Sequence, residues 1–350
     1  MPINPIQPNS PIRADHFIKA SEADSNPANN EGYVPKLESN GEISSVFTRF
    51  NYGGGADGAI VLDGTNTYGF LSKSGNVYTM TRNIFCTNIT INSGCTLKTD
   101  GFLYFWTGKI DGSGKITWGV PNAGGNASGN TGGVGGAASG TGPIKNKAGG
   151  NGGRGGYPGV TGQGQAGLPG GSSTSSPGRP GAAGATGSGA MPGVAGPGGT
   201  ASTYLPFGVF AFLSMIACDL TSSAGLAFLT GSAASGGGSG GGRTDGSNDF
   251  GGGGGGAASG GGCLGWGNEW GGTLTIENLG ANGGNAATLN GETGGAGAGS
   301  PGGWSAIFFK KKTGTITYNL AGGNPGTGNG TPGTAATGYS YEIDISTLIR

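Results

Sequence analysis

Residues 102–129, FLYFWTGKIDGSGKITWGVPNAGGNASG, hold the pattern from which the fold is read. A continuous apolar run, Phe102-Leu103-Tyr104-Phe105-Trp106, leads through a Gly-bounded turn into Lys115-Ile116-Thr117-Trp118 and then into a Gly-Gly-Asn tract. A short apolar run between glycines fits a buried strand, and the run after the turn fits a second. The same order returns at 263–291, CLGWGNEWGGTLTIENLGANGGNAATLNG, and at 306–330, AIFFKKKTGTITYNLAGGNPGTGNG. Three copies mean that one architectural unit is reused, with β-strands feeding glycine-rich segments.

Upstream of the first copy, Asn88-Ile89-Thr90-Ile91-Asn92 alternates polar and apolar, and Thr96-Leu97-Lys98 follows. Glycines 94, 101, 108, 112 and 114 punctuate short strands, as in a small β-sandwich or a few rungs of a β-solenoid. At the other end, Tyr339 to Ile345 alternates cleanly and predicts a strand that closes the sheet.

Composition sets the class. Of 350 residues, 86 are glycine, about a quarter against a usual ~7%, and charged residues make up 10% against a usual ~25%. An ordinary soluble enzyme is not expected on that ground. Eighteen basic and eighteen acidic residues cancel, so no long-range field points to nucleic acid. His16 is the only histidine, and Cys86, Cys95, Cys218 and Cys263 form no C-x-x-C pair, which excludes structural zinc. No metal or cofactor is expected. The start MPINPIQPNS has neither a basic head nor an apolar run, so no secretory signal is expected and the chain is read as made and assembled inside a cell. The cysteines then read as reduced, buried small hydrophobes, with a Cys86–Cys95 bridge formed after release as the alternative.

Residues 122–200 carry 30 glycines and few large apolar side chains. Their Gly-X-Y spacing slips through three phases and breaks at Ala190, which a continuous collagen helix does not tolerate. The favoured reading is a packed set of polyproline-II-like glycine helices, in which bare backbones approach one another and every N–H and C=O seeks a neighbour. The fold class is therefore mainly β: short-strand β-sandwich or β-solenoid units combined with packed polyglycine helices and an extended N-terminal arm.

That arm occupies 1–50. Prolines at 2, 5, 8, 11, 27 and 35 and the run SEADSNPANNE forbid a core, so Val34, Leu37, Ile43, Val46 and Phe47 read as anchors that dock onto a partner. A β domain follows at 51–121, a glycine-rich region at 122–203, an apolar core or interface segment at 204–230, and glycine tracts with repeated β units and the C-terminal strand at 231–350. The uninterrupted apolar run Phe207 to Cys218 is too short for a membrane span and ends at Asp219. It reads as an interface, with Phe210, Phe212, Leu213 and Ile216 near the axis of a homotrimer.

Chemistry-bearing patterns are sparse. Asp57-Gly58, Asp63-Gly64, Asp111-Gly112 and Asp245-Gly246 fit Asx turns. Gly-x-Gly-x-x-Gly matches are a consequence of composition, and none follows a strand and opens a helix. Trp266, Trp270 and Trp304 stand beside glycine tracts, either as packing caps or as a surface platform for sugar rings. Lys310-Lys311-Lys312 reads as a solvated edge that blocks strand pairing.

EGYVPKLESNGEISSVF resembles the connector near the ends of bacteriophage tail-fibre and other appendage proteins, where a Gly-x-Val-x-Lys-Leu run precedes Gly-x-Ile. VYTMTRNIFCTNITINSGCTLKTDGFLYFWTGKI with the glycine tracts after it is similar to glycine-rich phage virion proteins, and distal adhesins of T-even-type phages also build a tip from packed glycine helices. The resemblance implies a non-enzymatic structural virion component, assembled in the host cytoplasm and displayed as a fibre, spike or decoration. Its arm would join other virion proteins and its body could meet a host glycan or protein. A dedicated receptor-binding adhesin and a capsid cement protein are the alternatives.

Overall fold

The computed structural model describes residues 55–155 and 251–346, together with the backbone of Ser173–Pro177 and Ala201–Ser202. The described residues are mainly β and contain no helix. In chain order the strands are β1 (Ile60–Leu62), β2 (Leu71–Ser74), β3 (Val77–Met80), β4 (Ile84–Cys86), β5 (Ile89–Ile91), β6 (Thr96–Lys98), β7 (Tyr104–Gly112), β8 (Lys115–Thr117), β9 (Ser173–Pro177) and β10 (Ala201–Ser202). They continue as β11 (Gly262–Trp270), β12 (Thr273–Glu277), β13 (Thr288–Leu289), β14 (Glu292–Thr293), β15 (Trp304–Lys312), β16 (Thr315–Asn319) and β17 (Tyr339–Asp344).

Two sheets carry the body. The larger runs β1-β5-β7-β11-β15-β17, with β4 also pairing with β7, and every pair in it is parallel. The other runs β16-β12-β8-β6-β3-β2 and is parallel except for the β2–β3 hairpin. The chain alternates between them: β5 to β6, β7 to β8, β11 to β12 and β15 to β16 each step from the first sheet to the second. Contacts from Lys311 to Glu269 and from Asn319 to Glu277 join residues 42 apart, which is the length of one full pass. The preceding pass is longer, since Trp118 N–H reaches Asn278 Oδ1 across 160 positions. The extra length lies mainly in 156–250.

Between the sheets lies one apolar cluster to which β7 gives Trp106 and Ile110, β8 Ile116, β11 Trp270 and β12 Leu274 and Ile276. The short strands follow the predicted alternation, with Ile116, Ile276 and Ile316 inside and Lys115, Thr275 and Thr317 outside. Burying a tryptophan such as Trp106 or Trp270 removes ~150–250 Å² from water, an upper bound of about 4–6 kcal/mol each. Large rings fit because glycines face them across the ladder. A Cβ on Gly267 would enter the Trp106 ring, and one on Gly262 the Trp304 ring.

Lys311 and Lys312 stand in the ladder opposite Glu269 and Trp270 of β11 and their side chains meet Glu269 and Glu342, while pairing with β17 stops at Phe309. Cys86 and Cys95 are both free and buried, as the reading of small buried hydrophobes has them, and no bridge joins them. The closing strand is β17, at the edge of the larger sheet. The arm at 1–50 lies outside the described residues.

Candidate functional site

The glycine tracts between the sheet strands make no strand ladder, yet their backbone bonds follow a strict interval of three. Gly252, Gly255 and Ala258 donate to Gly129, Gly125 and Asn122; Gly253, Gly256 and Ser259 donate to Gly153, Gly150 and Lys147. The third set, Gly254 and Ala257, donates to Gly295 and Ala298. Thus one tract, 252–259, faces three neighbours in turn. The approach is close enough that a Cβ on Gly254 would collide with the carbonyl oxygen of Gly284.

Asparagine seals the outside of this layer. Asn126 Oδ1 accepts from Asn285 N–H at 2.8 Å, and Asn285 Oδ1 accepts in turn from Thr327 N–H at 2.8 Å. Asn282 Oδ1 accepts from Asn324 N–H at 2.9 Å. The Gly-Gly-Asn repeat therefore has a local cause: two bare positions face neighbours, and the third supplies an acceptor to the next tract. Exposure keeps the same interval, with Thr331, Thr334 and Thr337 outside and the residues between them half-buried.

The tracts reverse at turns that gather together. One is 128–131, where Ser128 and Thr131 exchange backbone bonds. Another is the β13–β14 hairpin, turned by Asn290 (φ +54°) and Gly291 (φ +83°), a left-handed pair that favours Asn-Gly. A third is at 328–330, where Asn329 N–H bonds Gly294 O at 2.9 Å. Ala127 N–H bonds Asn285 O and Ala286 N–H bonds Thr327 O, so the three turns sit side by side. The ends of the long excursion join them: Gly155 N–H bonds Asn130 O, and a Cβ on Gly251 would meet Ala287 O. This end presents Ser128, Thr131, Thr288, Asn290 and Thr327, all exposed. Hydroxyls and amides of this kind make adaptable hydrogen bonds, and they form the candidate recognition surface.

The tryptophans, read either as packing caps or as a surface platform, are interior. Trp266, Trp270 and Trp304 are 3%, 0% and 1% exposed: Trp304 fills the space above Gly262, Trp266 stacks on Phe308, and Trp270 packs edge-on against Trp106. The signal in the sequence was volume complementarity, Tyr104 opposite Gly265 and Trp106 opposite Gly267, which only register reveals. Val34, Leu37, Ile43, Val46, Phe47, Phe210, Phe212, Leu213 and Ile216 lie outside the described residues.

Described carboxylates are engaged structurally. Asp63 caps its own turn by accepting from Asn66 and Thr65 N–H, which holds its carboxyl below the usual range. Burial alone would raise the Asp57 carboxyl, but Arg82 and the Phe85 N–H together bring it below the ordinary value. Lys311 and Thr313 lower Glu269. No group of three or more metal-ligating side chains occurs among the described residues, and no helix among them is long and apolar enough to cross a membrane. Comparison with protein-family models, with curated proteins and with solved structures finds no match for this chain.

Proposed function

We propose that this chain is a non-enzymatic structural protein of a bacteriophage virion, carried outward on the particle as a fibre, spike or decoration component. The observation that supports the reading is the gathering of three turns and both ends of the 156–250 excursion at one end of a backbone-bonded glycine layer. Such an arrangement displays short polar loops on a stiff support while the β sheets anchor the other end.

The glycine layer is best explained as polyproline-II-like helices. That conformation has three residues per turn and no internal hydrogen bonds, so each of its three faces must bond a different neighbour. The three phases of donation along 252–259 have that form. So does the exposure of every third residue from Thr331 to Thr337.

The polar turn surface also favours a second reading, a receptor-binding adhesin whose loops meet a host glycan or protein. Electron microscopy of intact particles carrying antibody to the 288–293 turn tests both. Label at a fibre or spike tip supports display, and blocking of host adsorption by the isolated protein adds the adhesin role. Label at head subunit junctions would make it a cement protein, and absence from purified particles overturns the virion assignment.

A further inference from the structure

Asn-Gly pairs occur in the sequence at 40–41, 151–152, 282–283, 290–291 and 329–330, and the first lies outside the described residues. Such a pair carries a reaction of its own, in which the glycine's backbone nitrogen attacks the asparagine Cγ with no side chain to hinder the approach. The step needs an asparagine amide that can turn, a glycine N–H without a partner, and a backbone that can swing until nitrogen and carbon reach near-attack distance.

The glycine layer denies all three at two of the pairs. Asn151 Oδ1 accepts from Gly135 N–H at 2.7 Å, while Gly152 N–H donates to Gly133 O at 2.8 Å. Asn282 Oδ1 accepts from Asn324 N–H at 2.9 Å, while Gly283 N–H donates to Asn324 O at 2.9 Å. Both glycines are wedged against neighbouring backbone, since a Cβ on Gly152 would collide with Gly253 O and one on Gly283 with Gly297 O. Asn329 is half-buried and bridged to Gly295. Asn290 and Gly291 differ from all of these. Both are exposed and sit outside the ladder, between the paired residues Leu289 and Glu292. Gly291 N–H donates to no backbone carbonyl among the described residues, and no atom lies within 4 Å of where a Cβ on Gly291 would stand.

We propose that Asn290 is a site of spontaneous deamidation, through which the turn end of the body acquires negative charge with age. Gly291 N bonds to Asn290 Cγ as the bond from Cγ to Nδ2 breaks; the Gly291 amide proton passes to water and the side-chain nitrogen leaves as ammonia. Water then adds to either carbonyl of the five-membered imide, and ring opening gives aspartate or, with the chain rerouted through the side-chain carbonyl, isoaspartate. The sum is amide plus water to acid plus ammonia, with no other reactant. Each product sets a carboxylate two positions from Glu292, in a chain whose 18 acidic and 18 basic residues otherwise cancel. Isoaspartate also adds a backbone carbon to a two-residue loop, whose length selects the turn type. The surface altered is that of the gathered turns, and the reaction does not depend on the virion role.

The test follows the intact protein through weeks at pH 8, where loss of the amide proton is favoured. Peptide mass spectrometry counts converted asparagines, and electron-based fragmentation tells aspartate from isoaspartate. Conversion should lead at Asn290 and run at least about tenfold slower at Asn151 and Asn282, where two hydrogen bonds must open first. Asn329 should fall between. In urea, where only the shared Asn-Gly chemistry remains, the four rates should converge. Asn290→Gln, whose longer side chain closes the imide ring far more slowly, should remove the main acidic species that isoelectric focusing resolves in aged protein. Asn290 reacting no faster than Asn282 in the folded chain overturns the proposal. So does an order of rates that persists unchanged in urea, which would make flanking sequence and not the fold its cause.

Discussion

Asn278 shows how one side chain joins three passes of the chain. Its Oδ1 accepts from Trp118 N–H at 2.7 Å and from the Cys263 thiol at 3.3 Å, and its Nδ2 donates to Trp304 O at 2.8 Å. It is 1% exposed, so Asn278→Ala strands a buried N–H and a buried C=O with no water to replace the lost partner. The expected cost is about 2–4 kcal/mol in denaturant unfolding, whereas Asn282→Ala, on the exposed side, should cost about 1 kcal/mol or less. Equal losses would mean that Asn278 is not a node. Burial also pushes the Cys86 and Cys263 thiols up to about 12, with the Asp57 charge adding to Cys86 and the Thr99 and Asn278 contacts offsetting part of the rise at Cys263. Native protein treated with iodoacetamide at pH 8 should therefore show neither residue alkylated by mass spectrometry, and both alkylated after unfolding.

Among the elements, the glycine tracts separate what a sequence can reveal from what it cannot. Strand positions were legible because alternation at Ile89 to Ile91 and Thr315 to Asn319 is a local pattern. The role of Trp266 and Trp304 was not, since it depends on which residue stands opposite, Phe308 for Trp266 and Gly262 for Trp304, and that partner lies far along the chain. The same holds for Lys311 and Lys312, whose acidic partners Glu269 and Glu342 come from the strands on either side. For the tracts themselves, Gly254→Ala should lower the melting temperature by many degrees, because its Cβ falls on the Gly284 carbonyl and the bonded layer has no rotamer with which to yield. Thr334→Ala, exposed on an outer tract, should shift it by little. Comparable shifts would remove the close-packed account. A third expectation belongs to β17. The side it turns toward β16 is polar and exposed, Ser340 and Glu342, and Glu342 meets Lys312 and Tyr318, so this strand ends the stack. A chain stopped at Gly338 bares the β15 edge with Ile307 and Phe309, and should associate further than the full chain in sedimentation analysis.

At the scale of the molecule, the described residues open on contacts with the larger sheet. Gly55 lies against Thr87, and Asp57 N–H bonds Phe85 O at 2.9 Å. Asp57 also pairs with Arg82 and accepts from Phe85 N–H, which fixes that entry point. The folded carboxyl lies below its ordinary value, so its contribution is present at neutral pH and is lost as pH falls through the folded value. Asp57→Asn should therefore flatten the acid limb of the melting curve without altering it at pH 7 as much as deletion of the pair's geometry by Asp57→Ala. If residues 1–47 are an arm outside the core, the body folds without them. Removing them should leave a body with an almost unchanged melting temperature and circular dichroism. If the arm is the docking element, with Val34, Leu37, Ile43, Val46 and Phe47 as its anchors, the same truncated chain should fail to join particles when it replaces the full-length protein during infection. The two readouts separate the causes of failure. A truncated chain that melts far lower shows that the arm belongs to the fold, whereas one that folds and still enters particles in normal amounts shows that attachment resides in the body.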